Sequence, residues 1–287
     1  MTMRWKNIIP LECIAQETFS RNSVFVQYKN CFSRRSTFPL SHCIETAWEK
    51  AILKATQSNH CVPYDAPKFR LARVDFEENK IFLNIGLTSY KSYIAYRTDV
   101  NIRRLTRSIA KNMKIPVHQF LPNVIGNVAI VQTTDGHVVV IKRSPNVSTY
   151  KNYLDLPGGH PEPSNIKALA NNNGRNIERQ IHNELFDSIR QEVQEELEVP
   201  ISFLGQPKFL TILVNLCDIM TPDIVFLLQV DLKAQEVQDE FLKKKNHKRE
   251  IKKVLLYDLK NLNPKELKKN TPILEGAFTV LKSINGL

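Results

Sequence analysis

No Cys-x-x-Cys pair occurs in this chain of 287 residues, and its five cysteines, Cys13, Cys31, Cys43, Cys61 and Cys217, are odd in number. That pattern argues against both a disulfide framework and a zinc site, and it fits a reducing compartment. An apolar signal core is also missing near the start, where Arg4, Lys6, Glu12 and Glu17 interrupt the stretch. The longest strongly apolar run, residues 224–230, is far too short to cross a bilayer. No internal repeat is apparent. These absences set the expectation of a cytoplasmic or nuclear protein that makes no use of a membrane. Positive charge is what the chain has in excess, a formal net +11. A polyanionic partner follows from that, either nucleic acid or a small phosphorylated metabolite. The most basic stretch, KKKNHKREIKK at 243–253, reads as a solvated loop.

Hydrophobic periodicity divides the rest. Residues 1–40 carry weak periodicity and stay unassigned. Ile44, Ala47, Trp48, Ala51, Ile52 and Ala55 recur at helical spacing. Residues 68–76 and 81–87 alternate about a turn at 77–79, which predicts a hairpin with a slip of phase midway through its first strand. A basic helix is expected over 101–113 and a linker over 115–122, where prolines disfavour helix. The expected division is an N-terminal domain over 1–115 and a second domain over 116–287. The second opens with two strands about Thr134-Asp135-Gly136, a tight-turn signal. A long helix near 183–198, strands over 209–216, 224–232 and 254–259, and a helix opening at Thr271-Pro272 complete it. Strands mixed with a few helices predict an α/β sandwich.

Chemistry concentrates in the long helix. Leu185, Ile189, Val193 and Leu197 form an apolar stripe, and Glu192, Glu195 and Glu196 stand beside it on one face. Like charges at that spacing destabilise a helix by a few tenths of a kcal/mol per pair. A hard cation offsets the repulsion, and magnesium takes a couple of carboxylates together with waters and substrate phosphates. A solvated acidic face is the competing explanation. The segment LPGGHPEP at 156–163 tips the balance, because glycine lets backbone approach a phosphate or metal closely.

Together these pieces resemble the Nudix box, whose helical part reads R-E-U-x-E-E-x-G-U with U aliphatic. Gly159 supplies the leading glycine, Glu192 to Leu197 supply E-U-x-E-E-x, and Val199 fills the last aliphatic place. The interval from Gly159 to Glu192 is longer than in the family, Gln191 replaces the arginine, and Glu198 replaces the second glycine. The box glutamate after the first glycine is missing, with Glu184 standing in one residue out of register. YDAPKFRL (64–71), GLTSY (86–90), LPGGHPEP, NELFDSI and TPILEGA look, in that order, like the UDP-glucose pyrophosphatases of the Nudix motif-22 type.

The resemblance implies a fold and an activity. The fold is a Nudix α/β/α sandwich with a mixed sheet, plus a smaller N-terminal α+β domain, with substrate between them. The activity is magnesium-dependent hydrolysis of UDP-glucose or UDP-galactose to UMP and hexose 1-phosphate, with manganese as an alternative ion. It assigns Glu192 and Glu196 as metal ligands and Glu195 as a supporting acid. It assigns Tyr64, Tyr90, Arg143, Ser148, Asp155, His160 and Glu162 to the UDP-sugar. Other diphosphates (ADP-ribose, a dinucleoside polyphosphate, capped RNA) and a non-catalytic nucleotide- or RNA-binding module remain alternatives. Glu250, in the basic loop, is a candidate catalytic base on position alone.

Overall fold

The computed structural model describes residues 5–7, 18–57, 62–77, 79–145, 147, 150–170, 176–215, 221–243, 250–258, 260–261 and 269–285. Ser148, Asn146, Cys13, Cys61, Cys217 and 244–249 of the basic stretch lie outside them.

Two sheets organise the described residues. The smaller combines β2 (Val24–Tyr28), β3 (Pro67–Glu77) and β4 (Lys80–Ser89) in the order β2-β4-β3. The hairpin expected over 68–87 is β3–β4, and its phase slip is a register shift between Leu71 and Arg73. Such an irregularity returns the apolar side chains to one face, so Phe69 and Leu71 are buried before it and Val74 packs on the core after it.

The larger sheet runs β1-β9-β10-β5-β6-β11, with β7 pairing β6 and β8 pairing β5. Its strands are β1 (Trp5–Asn7), β5 (Gly126–Thr133), β6 (His137–Arg143), β7 (Leu154–Asp155), β8 (Gly158–Gly159), β9 (Lys208–Asn215), β10 (Thr221–Val230) and β11 (Ile251–Asp258). β10 and β5 are parallel and the other pairings antiparallel, so the sheet is mixed. Central strands buried along most of their length need cover on both faces. The long helix packs on β5 and β8 and the C-terminal helix on β9, β1 and β7, a mixed sheet covered by helices as expected for the α/β class. β1 joins the edge strand β9, so residues from the unassigned N-terminal stretch belong to the larger sheet.

Seven helices accompany these sheets among the described residues: α1 (Phe38–Gln57), α2 (Tyr90–Thr98), α3 (Val100–Met113), α4 (Lys167–Ala170), α5 (Ile177–Leu197), α6 (Ala234–Lys243) and α7 (Pro272–Ile284). The helix α2 is an addition to the sequence reading, which saw only the basic helix after it. Ser89 caps α2 by accepting from Ser92 N–H at 3.1 Å, and Asp99 starts α3 by accepting from Asn101 N–H at 2.7 Å. The segment over 115–122 is packed rather than a free linker, since Phe120 is buried in the cluster of α1, α2 and α3. Arg70 fastens this corner from inside, donating to the carbonyls of Phe32, His118 and Leu121. Burial, then the nearby Arg34 charge, lower its pKa to about 10, so it is still a cation at neutral pH. One hydrophobic cluster runs from Val24 and Phe69 in the small sheet to Val225 in the large one and Leu185 on α5. α5 packs against β2 as well as against β5 and β8.

Candidate active site

The apolar stripe of α5 is seated in the core: Leu185, Ile189, Val193 and Leu197 are all fully buried. That seating fixes the azimuth of the acids. Glu196 is drawn inward to 8% exposure, where its Oε2 accepts from Gly158 N–H at 2.9 Å. Burial pushes the Glu196 carboxyl well above the ordinary carboxylate range; the Gly158 bond opposes the shift, the negative Glu192 and Asp155 add to it, and Arg143 opposes it. Glu192 lies directly on Gly159, where an added β-carbon would overlap the Glu192 carboxyl group. At Gly158 a β-carbon would strike the Asn127 carbonyl. Gly158 is therefore required by close approach of backbone, whereas a side chain at 159 would displace the Glu192 carboxyl group from its present position. Glu195 is half-buried on the flank and accepts from Gln191 Nε2 at 3.0 Å.

The helix ends on Glu198, in a left-handed conformation at φ 60°. This is the position where the box has glycine, and the backbone still adopts the geometry glycine favours. Glu184 bonds to the loop that follows the glycines. Its Oε1 accepts from Glu162 N–H at 2.9 Å and from Asn165 Nδ2 at 3.0 Å, so it braces the loop after the glycines.

Above the glycines lies an open cleft lined by Arg143, Asp155, Gly158, Gly159 and His160, among others. Pairing of β6 with β7 sets Ile141 opposite Asp155 and brings Arg143 to within 3.3 Å of the Asp155 carboxylate. Asp155 also accepts from Thr271 Oγ1 at 2.7 Å and from Leu156 N–H at 3.0 Å. Burial raises its pKa, with Arg143 the largest opposing influence. His160 meets the edge of Tyr93 with ring centroids 6.3 Å apart. Burial and then the Lys68 charge lower its pKa to about 4, so the imidazole is neutral near pH 7. Glu162 forms an ion pair with Lys68 of β3, tying the loop to the small sheet.

Of the residues expected at the site, Arg143, Asp155 and His160 line the cleft, while Glu192 and Glu196 lie against its glycine floor. Glu162 stands behind His160 through Lys68, which also lies 5.8 Å from the Tyr90 ring centroid. Tyr90 packs against Tyr93 with centroids 5.9 Å apart. Tyr64 is 78% exposed and is not among the residues lining the cleft. The sequence reading missed Tyr93, Arg97, Asn127, Tyr150, Asn215 and Asp223, all of which line it. Tyr90, Tyr93 and Arg97 stand at i, i+3 and i+7, a helical stripe that becomes visible only once Ser89 is taken as a cap.

Two neighbouring carboxylates, Glu192 and Glu196, suit a hard cation. Asn127 gives its Nδ2 to Leu185 O and Ser188 Oγ, while its buried Oδ1 has no protein donor. Among the described residues no group of three or more His, Cys, Asp or Glu side chains is gathered into a complete metal cage. Magnesium does not require one, since it keeps waters and takes substrate phosphate oxygens alongside one or two carboxylates.

Comparison with known proteins gives relatives of this sequence. No family model matches the chain. It is 29% identical over 185 residues to the human uridine diphosphate glucose pyrophosphatase NUDT22, covering 62% of this chain and 61% of that protein. With the mouse NUDT22 it shares 27% over 228 residues, covering 78% and 72%. With Nudix hydrolase 9 of Arabidopsis thaliana it shares 28% over 187 residues, covering 60% and 58%. The chain thus spans about three fifths of the length of the human relative. A solved MutT protein from Methanosarcina mazei is 16% identical with a TM-score of 0.38, over 57% of this chain and 95% of that one. The resemblance read from the sequence is borne out: the chain is similar to Nudix hydrolases and, within them, to UDP-glucose pyrophosphatases of the NUDT22 type.

Proposed function

We propose that this chain is a magnesium-dependent diphosphatase that hydrolyses UDP-glucose or UDP-galactose to UMP and hexose 1-phosphate. The carrying observation is the buried Glu196, bonded to Gly158 N–H, with the Glu192 carboxyl group lying against Gly159. The curated name of the human and mouse relatives supports the substrate class. Glu192 and Glu196 are the residues that would hold the metal, with manganese as an alternative. Bound there, magnesium supplies charge for the diphosphate oxygens and a water of lowered pKa.

The chain's own groups do the positioning. Arg143, steered by Asp155, offers a charge-assisted contact to the diphosphate. Glycines at 158 and 159 let a phosphate come close to backbone. His160, neutral, hydrogen-bonds substrate without adding charge to the cleft. The Lys68–Glu162 pair holds the loop against the N-terminal domain over 1–115, whose aromatic residues Tyr90 and Tyr64 are assigned to the uridine end. Ser148 is kept as a further substrate contact and Glu195 as a support for the acid pair. Cys31 and Cys43 are free, which suits a cytoplasmic setting, and no helix of the described residues is long and apolar enough to cross a membrane.

Incubation with UDP-glucose and magnesium should release UMP and glucose 1-phosphate. Glu192→Gln and Glu196→Gln should each lower kcat by about a thousandfold or more while uridine nucleotides still bind. Full turnover in both variants sinks the metal assignment. Preference for ADP-ribose, a dinucleoside polyphosphate or capped RNA over UDP-sugars sinks the substrate assignment.

A further inference from the structure

The face of α2 that carries Tyr90 and Tyr93 also carries Arg97, and Tyr93 and Arg97 both line the cleft. Arg97 Nη1 donates to the Tyr93 hydroxyl at 2.9 Å, and the guanidinium carbon lies 5.8 Å from the centroid of the Tyr93 ring. It lies 5.8 Å from the Tyr150 ring as well, so the cation is held near two tyrosines contributed by distant parts of the chain. A guanidinium fixed over rings has its planar fork oriented in advance, which suits two-pronged binding of phosphate.

Tyr150 is held there against its backbone preference. Its φ is 50°, a left-handed conformation unfavourable for a bulky aromatic residue. Its hydroxyl accepts from Asn215 Nδ2 at 3.0 Å and its ring packs on Tyr153 with centroids 5.6 Å apart. Tyr150 and Asn215 line the same cleft as Arg143, Gly158 and Gly159. Strain of this sort persists where surrounding contacts over-determine a residue, and it gathers at binding sites. A ring pinned on several sides under a guanidinium, at the edge of a diphosphate cleft, is a preorganised cation site.

We propose that Arg97, held near Tyr93 and Tyr150, binds the second phosphate of the nucleoside diphosphate-linked substrate while Arg143 binds the first. The proposal rests on the diphosphate reading of the cleft. It gives α2 of the N-terminal half a direct part in substrate binding and makes Tyr150 and Asn215 positioning residues for Arg97. The competing role is a purely structural link between α2 and the segment carrying Tyr150.

The test compares UMP with methylene-bridged UDP, which resists cleavage, by calorimetry in magnesium. The wild type should bind the diphosphate analogue more tightly than UMP. Arg97→Gln should shrink that preference roughly tenfold or more, leave UMP affinity within about threefold, and Arg97→Lys should fall between. An unchanged preference, or equal weakening of both ligands, overturns the proposal, because a structural link would not distinguish one phosphate from two. If Arg97→Gln fails to fold, Arg97→Lys decides by the same ratio. A wild type that favours the methylene-bridged ADP analogue defeats the uridine reading alone; the same loss in Arg97→Gln on adenine ligands then still supports Arg97. A wild type that binds no nucleoside diphosphate overturns both.

Discussion

The floor of the cleft and its N-terminal wall are built from different physics. On the floor, Glu192 and Glu196 are fixed by a fully packed helix stripe and by two glycines that admit carboxylate and carbonyl groups at close range. On the wall, Tyr93 and Arg97, backed by Lys68 and Tyr90 and met by His160 from the glycine loop, are fixed by cation–aromatic and edge contacts and by the Lys68–Glu162 pair. Close packing tolerates almost no added volume, whereas a partly open array of polar and aromatic contacts yields by degrees. The floor should therefore fail abruptly under substitution and the wall gradually.

Gly159→Ala breaks the floor most directly. The new methyl group displaces the Glu192 carboxylate, and kcat/KM should fall by about a hundredfold or more, the scale of a misplacement near 1 Å. Steady-state kinetics on a protein verified as folded checks this; activity within about threefold of wild type would mean the glycine is not required for close approach. Glu192→Gln and Glu196→Gln should do at least as much damage, with Arg97→Gln next, felt in the diphosphate increment.

His160 probes the wall through pH. Its folded pKa of about 4 lies below the ordinary 6.5, so between those values the unfolded chain binds more protons than the folded one. Stability carried by the neutral imidazole is complete above pH 6.5 and declines as pH falls toward 4. Because the ring is half-buried, the loss should be on the order of 2 kcal/mol, smaller than the full shift implies. Chemical denaturation of wild type and His160→Gln across that range should show the wild type losing more. Parallel curves would mean His160 is solvated.

The smallest effect belongs at the helix end, away from both surfaces. Glu198→Gly relieves a left-handed non-glycine residue and should stabilise the fold by about 0.5–1 kcal/mol with kcat unchanged. A lower unfolding midpoint would show that the Glu198 side chain contributes more than its backbone angle costs.

Much of this was legible beforehand. The alternation of β3 and β4, with its slip at Leu71, and the cap at Thr271-Pro272 are local consequences of side-chain order. So is the shared face of Glu192, Glu195 and Glu196, because a helix with Leu185, Ile189, Val193 and Leu197 in the core has only one azimuth available. The helix α2 escaped because tyrosines and serines give a weak helical signal, and with it went Tyr93 and Arg97.

What the sequence determined by itself was the row of acids, the glycine turn and the kind of ion and phosphate chemistry they suit, since helix periodicity and glycine's missing β-carbon act over a few residues. Tertiary structure alone decided that Glu196 is buried while Glu195 stays at the flank, that Glu162 pairs with Lys68, and that Arg97 meets Tyr150. Those outcomes depend on contacts between segments far apart in the chain, and burial and neighbouring charge exist only once the sheets and helices have closed around them.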